Sequence, residues 1–246
     1  MPNQRNLTFL FFFSVLLPNV LFSQNFLKTS GRNIINQNGD TIVLRGIGLG
    51  GWMVQEGYMM APGGFSGTQF QIRDKITDLI GEEETEKFYD NWLKNHVRKI
   101  DIDSMKSWGF NLVRVPIHYN LFTAPIEDEL FPGSYTEIEK GYKLLDSLLE
   151  WCKANEMYMM IDLHAAPGGQ GYNADISDYD TSKYSLWESG ANQDKTVELW
   201  KRLSQRYKNE EWVAGYDLIN EPNWNLPGNK LLKELYVRIT DVIRAE

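Results

Sequence analysis

The sequence predicts an α/β domain that is built from parallel βα units. Short apolar segments of strand length alternate with longer amphipathic segments of helical period, which is the order that parallel sheets require. The strand segments are apolar on both faces, as parallel strands buried on two sides are. The chain has 246 residues with 42% hydrophobic content, enough for one large domain, and no repeat or linker divides it.

Four strands are predicted, and each ends in a polar loop that contains glycine or proline. A β-hairpin over residues 33–44 precedes them, because its Asn38-Gly39 pair tolerates a positive φ at both positions. Pro222 lacks a backbone N–H and therefore ends the last strand. The predicted strands cover residues 44–49, 110–116, 158–164 and 213–219.

Amphipathic helices are predicted between and after these strands. Gly109 ends one of them as a typical residue after a helix C-terminus, and Thr136 with Glu139 has the spacing of a capping box. Cys152, the one cysteine, lies on an apolar helix face and is predicted to be a core residue. The helical segments are 72–96 with a break at Gly81, 100–108, 136–154, 193–207 and 231–245.

The first 23 residues predict a secretory signal peptide. Arg5 precedes an almost unbroken apolar run over residues 7–17, and the small Ser23 offers a cleavage point. Cleavage there leaves residues 24–246 as a secreted, periplasmic or cell-surface domain. An uncleaved membrane anchor remains the alternative, although the apolar run is short for a membrane-spanning helix.

Composition limits the class of partner. The net charge is −8 and no basic cluster occurs, which makes nucleic acid and anionic membrane surfaces poor partners for this chain. Aromatic residues make up 13% of the chain, a content suited to stacking on flat ligands such as sugar rings.

Polar side chains occur at or just beyond the end of each predicted strand. Because the carboxyl ends of strands in a parallel barrel converge on one face, we expect these side chains to share a site. Glu221, half-buried beside an amide, suits a proton donor, whereas an ordinary polar turn is the alternative. Arg114 could equally tie strand ends together, and His164 could be a satisfied strand-end histidine. The set is Glu56, Arg114, His164, Asn220 and Glu221.

The chain resembles the family 5 glycoside hydrolases from about residue 31 to its end. Three strand-end motifs match that family in order and spacing: 109–116 ending in Arg-Val-Pro, 162–164 reading Asp-Leu-His, and 220–222 reading Asn-Glu-Pro. Two further segments, 44–56 and 163–170, are similar to the exo-β-1,3-glucanase branch.

This resemblance implies a (β/α)8 TIM barrel, of which the chain contains about the first four βα units. It implies a retaining β-glycosidase that acts on β-linked polysaccharides or oligosaccharides of the glucan type. Glu221 matches the general acid/base, whose pKa should be raised, and Asn220 matches the residue that binds the sugar 2-hydroxyl. Arg114 would orient the nucleophile, and His164 and Glu56 would bind sugar hydroxyls. No metal or organic cofactor is implied, because two carboxyl groups suffice.

The family's nucleophilic glutamate belongs at the end of a seventh strand, and no candidate for it follows Pro222. We therefore expect an N-terminal part of the enzyme that is inactive and poorly soluble by itself. A non-catalytic carbohydrate-binding half-barrel is the alternative. A structural or interaction protein is less favoured, because it would not need Arg, His and Asn-Glu at its strand ends.

Further candidates lie in the loops. His118 is expected to face the site, and at this position and at Asn120 the sequence departs from the exo-glucanase pattern. Trp187 and Trp224 are expected to be stacking platforms, whereas Trp52 suits core packing at least as well. Three carboxylates of the long loop after His164 are interpreted as solvated charges, because they lack the glycine and terminal glutamate of a calcium loop; they are Asp175, Asp178 and Asp180.

Overall fold

The computed structural model describes residues 26–60 and 67–246. The predicted signal peptide at residues 1–23 lies outside the described residues. Within the two described segments, none of the helices combines the length and the apolar character that crossing a bilayer requires.

A parallel four-stranded sheet forms the centre of the fold, with its strands adjacent in chain order. Leu112 pairs with Gly46 on one side and with Tyr158 on the other, and Met159 pairs with Val213. This arrangement fits part of a (β/α) barrel. Its strands are β3 (Gly46–Gly48), β4 (Leu112–His118), β5 (Tyr158–Ala165) and β6 (Val213–Asp217), and the separate strands β1 (Lys28–Ser30) and β2 (Asn33–Ile35) precede it.

All the predicted helical segments are helical, and glycines separate them as expected. Gly81 has φ 82° and divides the first segment into two helices, and Gly109 has φ 90° after the third. The helices are α1 (Gln69–Ile80), α2 (Glu82–Asn95), α3 (Lys99–Ser107), α4 (Glu139–Ala154), α5 (Ala174–Ser177), α6 (Gly190–Tyr207) and α7 (Lys230–Arg244). Short 3-10 turns occupy Tyr119–Leu121, Ile126–Asp128 and Pro227–Asn229.

The N-terminal hairpin differs from the prediction. The antiparallel pair is β1 with β2, and the Asn38-Gly39 segment forms a longer loop that returns the chain so that Thr41 bridges Ile35. Of the Asn38-Gly39 pair, only Gly39 has a positive φ. The reason is local: the side-chain oxygen of Asn36 accepts hydrogen bonds from the backbone N–H groups of Asn38 and Asp40, both at 2.9 Å, which closes the loop as an Asx turn.

The predicted capping box at Thr136 is wrong. Helix α4 begins at Glu139 without a side-chain cap. Thr136 instead donates its backbone N–H and its hydroxyl to the carboxylate of Glu129. Glu129 is buried in an ion pair with Lys195 from α6, and these contacts hold its pKa down at about 2 although burial opposes its ionisation. Thr136 therefore binds a carboxylate that belongs to a tertiary ion pair and does not cap helix α4.

The core lies between the sheet and the apolar faces of the helices, as the helical spacing of α4 predicts. Fully burying each large aliphatic side chain contributes about 1.5–3 kcal/mol. Cys152 is confirmed as a core residue, and burial raises the pKa of its thiol to about 12. The buried face of α4 comprises Gly141, Tyr142, Leu145, Leu148, Leu149 and Cys152.

We predict that Gly141→Ala destabilises the protein, although alanine normally stabilises a helix by about 0.5–1 kcal/mol relative to glycine. A Cβ atom at this position would lie 2.6 Å from the Phe122 ring, and overpacking of a core costs about 1–3 kcal/mol. Gly190→Ala is the control, because nothing lies within 4 Å of a Cβ atom there. The free energy of unfolding in urea measures both, and a Gly141→Ala protein as stable as Gly190→Ala would contradict the packing argument.

Candidate active site

The predicted polar side chains do converge at the carboxyl edge of the sheet. Arg114 points from β4 into a network with side chains of β5 and β6, and Glu56 arrives from the segment after β3. The participants are Glu56, Arg114, Asp162, His164, Asp217 and Asn220. Of these, Asp162 and Asp217 were not predicted as site residues.

Arg114 ties three strands together at this edge. Its Nε and Nη2 atoms donate to one oxygen of Asp217 at 3.1 and 2.9 Å, and Nη2 lies 3.0 Å from Oδ2 of Asp162. Nη2 also donates to Oδ1 of Asn220 at 2.8 Å. Arg114 thus ties the strand ends together by ion pairs, which was the alternative reading of this residue. The same guanidinium also sets the orientation of the Asn220 amide.

His164 connects the buried carboxylates. Its Nδ1 lies 2.7 Å from Oδ2 of Asp162, and its Nε2 lies 3.4 Å from Oε1 of Glu56. Although burial opposes the charged form, the hydrogen bonds to Asp162 and Glu56 raise the pKa of His164 to about 9. The imidazolium therefore donates from both nitrogens at neutral pH. The amide Nδ2 of Asn220, 3.3 Å from Nε2, can donate to this nitrogen only in the neutral imidazole.

Asp162 is the most deeply buried charge of the network. Its side chain is fully buried, and burial raises its pKa while His164 and Arg114 oppose that rise. Both cations bind the same oxygen, Oδ2, whereas Oδ1 has no hydrogen-bond partner among the described residues. The carboxylate is thus held by one oxygen between two donors.

Glu221 follows this network directly but is exposed, which corrects the expectation of a half-buried carboxyl. The reason is that β6 is the edge strand of the sheet in the described part of the chain, so no further strand covers this side. The backbone of Glu221 is left-handed, with φ 41°. Its carbonyl accepts a hydrogen bond from the Asn223 N–H at 2.6 Å.

Tyr58 is a neighbour of the site that the sequence did not indicate. Burial raises the pKa of the Tyr58 phenol. The charge of Glu56, the hydrogen bond between Tyr58 and Glu56, and the charge of Glu221 raise it further. The two carboxylates therefore act on the same hydroxyl group. An aromatic residue two positions after Glu56, in a loop at a strand end, was the signal that could have identified it.

An aromatic stack lies beside Glu221. Trp224 and Tyr172 are parallel, with ring centroids 4.1 Å apart and planes inclined by 12°, and Tyr179 contacts Trp224 edge-on. The Tyr172 N–H donates to the Asn223 carbonyl at 3.0 Å, which joins the stack to the turn after Glu221. Tyr172 is exposed. Trp224 is half-buried and has Tyr172 as a stacking partner that the sequence did not indicate, and its role as a platform for a sugar stays a prediction.

Trp187 and Trp52 are core residues. Trp187 is only 6% exposed and donates its indole N–H to the Gln170 carbonyl at 2.8 Å. Trp52 is only 2% exposed and donates its indole N–H to the Leu93 carbonyl at 2.8 Å. Because both N–H groups are satisfied by backbone and both rings are covered, the expected stacking role of Trp187 is corrected.

His118 lies outside the Arg114 network. It is buried, its Nε2 pairs with Oδ2 of Asp178 at 2.9 Å, and its Nδ1 accepts the Asn120 N–H at 3.1 Å. Asp178 also accepts the Phe70 N–H at 2.9 Å, so it joins α1 to the end of β4. The interpretation of Asp178 as a solvated loop charge is therefore wrong, because its side chain is 9% exposed.

Comparison with known proteins identifies the family of this chain. The family described as Cellulase (glycosyl hydrolase family 5) matches residues 66–246. A β-xylosidase of Phanerodontia chrysosporium is 38% identical over 198 residues, covering 80% of this chain and 39% of that protein. A probable glucan 1,3-β-glucosidase A of Aspergillus clavatus is 27% identical over 228 residues, covering 89% of this chain and 50% of that protein. The chain thus spans half or less of these relatives.

Solved structures share the fold. The rutinosidase from Aspergillus niger superimposes with a TM-score of 0.58 at 19% identity, over 82% of this chain and 57% of that one. A β-glucanase from Saccharophagus degradans gives 0.51 at 20% identity, over 91% of this chain and 51% of that one. The family match covers residues 66–246, and together with the glucan 1,3-β-glucosidase relatives it leads to one conclusion: the chain belongs to glycosyl hydrolase family 5 and is similar to its exo-β-1,3-glucanase branch.

Proposed function

We propose that this chain carries the acid/base side of a secreted retaining β-glycosidase that hydrolyses β-glucan-type polysaccharides or oligosaccharides. One observation carries the proposal: ion pairs and hydrogen bonds join Glu56 to His164, His164 through Asp162 to Arg114, and Arg114 to Asn220, the residue before Glu221. Membership of glycosyl hydrolase family 5 supports it.

Glu221 is proposed to act first as an acid and then as a base. As the acid it protonates the departing glycosidic oxygen, and as the base it takes a proton from the water that completes hydrolysis. Its exposed position leaves it accessible to a leaving group that approaches the edge of the sheet.

Asn220 is proposed to bind the sugar 2-hydroxyl through its amide nitrogen. Its Oδ1 is occupied by Arg114, and His164 donates rather than accepts while it is protonated, so Nδ2 remains available as a donor. A hydrogen bond to the 2-hydroxyl strengthens as the ring develops oxocarbenium character. Arg114 thereby acts on catalysis through the orientation of one amide.

His164, Glu56 and the Trp224–Tyr172 stack are proposed to hold the sugar. The Nε2–H of protonated His164 lies 3.4 Å from the buried carboxylate of Glu56, and we propose that sugar hydroxyl groups share this donor and this acceptor. A flat aromatic stack with one exposed ring, that of Tyr172, suits the apolar face of a pyranose ring. The stack lies next to the acid/base turn, where a leaving-group sugar would be bound.

The nucleophile is proposed to lie outside residues 24–246. A retaining mechanism places it about 5–5.5 Å from the acid/base, on the opposite side of the sugar. Arg114 would orient this carboxylate. The Trp224–Tyr172 stack, in which Tyr172 is exposed, also favours a second candidate, a non-catalytic carbohydrate-binding module, which would bind glucan without hydrolysing it.

We predict that Glu221→Gln, made in the product of the complete reading frame, lowers kcat on β-glucan by about 10²–10⁴-fold, because a positioned proton donor contributes that much. Glu234→Gln is the control, since Glu234 is an exposed carboxylate on α7. Hydrolysis is measured as released reducing sugar. Full activity of Glu221→Gln would contradict the assignment, and glucan binding without hydrolysis by the unsubstituted protein would favour the second candidate.

We expect residues 24–246 expressed alone to show no turnover. Hydrolysis by that segment, lost on Glu221→Gln, would mean that it contains its own nucleophile.

We predict that His164 makes stability depend on pH. Its pKa is about 9 when folded and about 6.5 when unfolded, so its contribution is fully present below pH 6.5 and is lost as the pH rises through 9. The contribution amounts to at most about 3 kcal/mol. His164→Gln should flatten the pH dependence of the free energy of unfolding between about pH 6.5 and 9, measured by urea unfolding at a series of pH values. An unchanged slope in His164→Gln would contradict the raised pKa.

A further inference from the structure

We propose that Gln170 is a positioning residue that fixes the Asn220–Glu221 peptide and, through it, the acid/base carboxyl group. The inference rests on the proposed role of Glu221, and it adds a residue that belongs to neither the carboxylate network nor the sugar-binding set.

Gln170 is completely buried in the loop after β5, and its amide joins three backbone groups. Nε2 donates to the carbonyl of His164 at 2.6 Å and to the carbonyl of Asn220 at 2.9 Å. Oε1 accepts the Ala166 N–H at 3.0 Å. Both amide hydrogens and the oxygen are therefore used, and no rotation of the side chain preserves the three bonds.

The Asn220 carbonyl belongs to the peptide bond that leads into Glu221. Because a peptide unit is planar, a hydrogen bond that holds its oxygen also sets the direction of its nitrogen and hence of the Glu221 backbone. Glu221 has φ 41°, a left-handed conformation that non-glycine residues adopt only when the surroundings impose it. The Asn220 N–H donates to the Leu163 carbonyl at 3.0 Å. The backbone N–H of Asn220 is therefore bound to β5, and its carbonyl is bound to the loop after β5.

The Gln170 amide also fixes the position of the His164 backbone relative to that of Glu221. Its two donors reach the carbonyl of the proposed sugar-binding histidine and the carbonyl before the proposed acid/base. A change in the distance between the sugar and the proton donor would therefore require Gln170 to break one of these bonds.

Gln170 is itself held in place by its loop. The indole N–H of Trp187 donates to the Gln170 carbonyl at 2.8 Å, which explains why this tryptophan is buried instead of exposed for stacking. Gly168 and Gly169 precede it with φ 80° and 76°, and a Cβ on Gly168 would lie 2.2 Å from the Asn192 amide. The tight approach of this loop is what brings the Gln170 side chain beneath the turn at Asn220.

The test compares Gln170→Met with Gln193→Met in the product of the complete reading frame. Gln193 is a matched control, because it is also buried in this region and its amide also donates to two carbonyls, those of Leu186 and Trp187. Those carbonyls do not adjoin Glu221. Gln170→Glu is the second variant, because it keeps the side-chain volume and the acceptor while it removes the donors.

The kinetic readout is kcat/KM on two β-glycosides, an unactivated oligosaccharide and a 2,4-dinitrophenyl glycoside. Only the oligosaccharide needs a proton donor for its leaving group. If Gln170 positions that donor, both Gln170 variants should lose about 10- to 100-fold on the oligosaccharide and less than about 3-fold on the dinitrophenyl glycoside. Gln193→Met should leave both unchanged, and equal losses on the two substrates would overturn the proposal.

Amide hydrogen exchange gives a readout that does not depend on activity. Gln170→Met should accelerate exchange in the segment 220–223 by about tenfold or more over Gln193→Met, with similar exchange in the central strands β4 and β5. Equal exchange in the two variants would overturn the proposal. If Glu221→Gln kept full activity, the proposed function would fail, and the exchange result would still decide whether Gln170 fixes this peptide.

Discussion

The carboxyl edge of the sheet depends on how the charge of Arg114 is compensated. This guanidinium contacts Asp162, which is fully buried, and Asp217, which is partly exposed, so β4 is tied to β5 and β6. A charge in a low-dielectric interior requires a partner. Breaking a fully buried pair costs about 3–5 kcal/mol, and the 32% exposure of the Arg114 side chain reduces that figure. The ion pairs therefore fix the strand ends and, through Asn220, the orientation of a proposed substrate-binding amide.

The same buried charges set the electrostatics of His164. Asp162 and Glu56 contact its two nitrogens, and their hydrogen bonds overcome the cost of burying an imidazolium. Glu221 is different, because it lies beyond the network, in solvent and in a left-handed conformation that costs roughly 1–2 kcal/mol. Hydrogen bonds at the flanking peptide groups, each contributing about 1 kcal/mol, offset that cost. The candidate site thus combines buried residues proposed to bind the sugar with a proposed acid/base, Glu221, that is held by its backbone.

Local sequence patterns predicted the elements well where short-range physics decides them. The four strand positions and the helices followed from apolar periodicity, and Gly81 and Gly109 mark breaks that need a positive φ. The same reasoning failed where a distant partner intervenes. Thr136 binds Glu129 instead of capping α4, and Asp178 pairs with His118 instead of facing solvent. Glu129 is held in place by Lys195 of α6, and Asp178 lies 60 positions from His118, so no local pattern indicates these contacts.

By itself, the sequence determined the parallel βα order, the family and the residues that end each strand, because strand periodicity and strand-end motifs are written in consecutive positions. Only the tertiary structure decided which of those residues meet. It joined Arg114 to Asp162 and Asp217, separated His118 from the network, buried Trp187 against Gln170 and left Glu221 exposed. The physical reason is that burial and charge pairing depend on which segments pack against each other. Arg114 and Asp217 are 103 positions apart, His118 and Asp178 are 60 apart, and Trp187 and Gln170 are 17 apart.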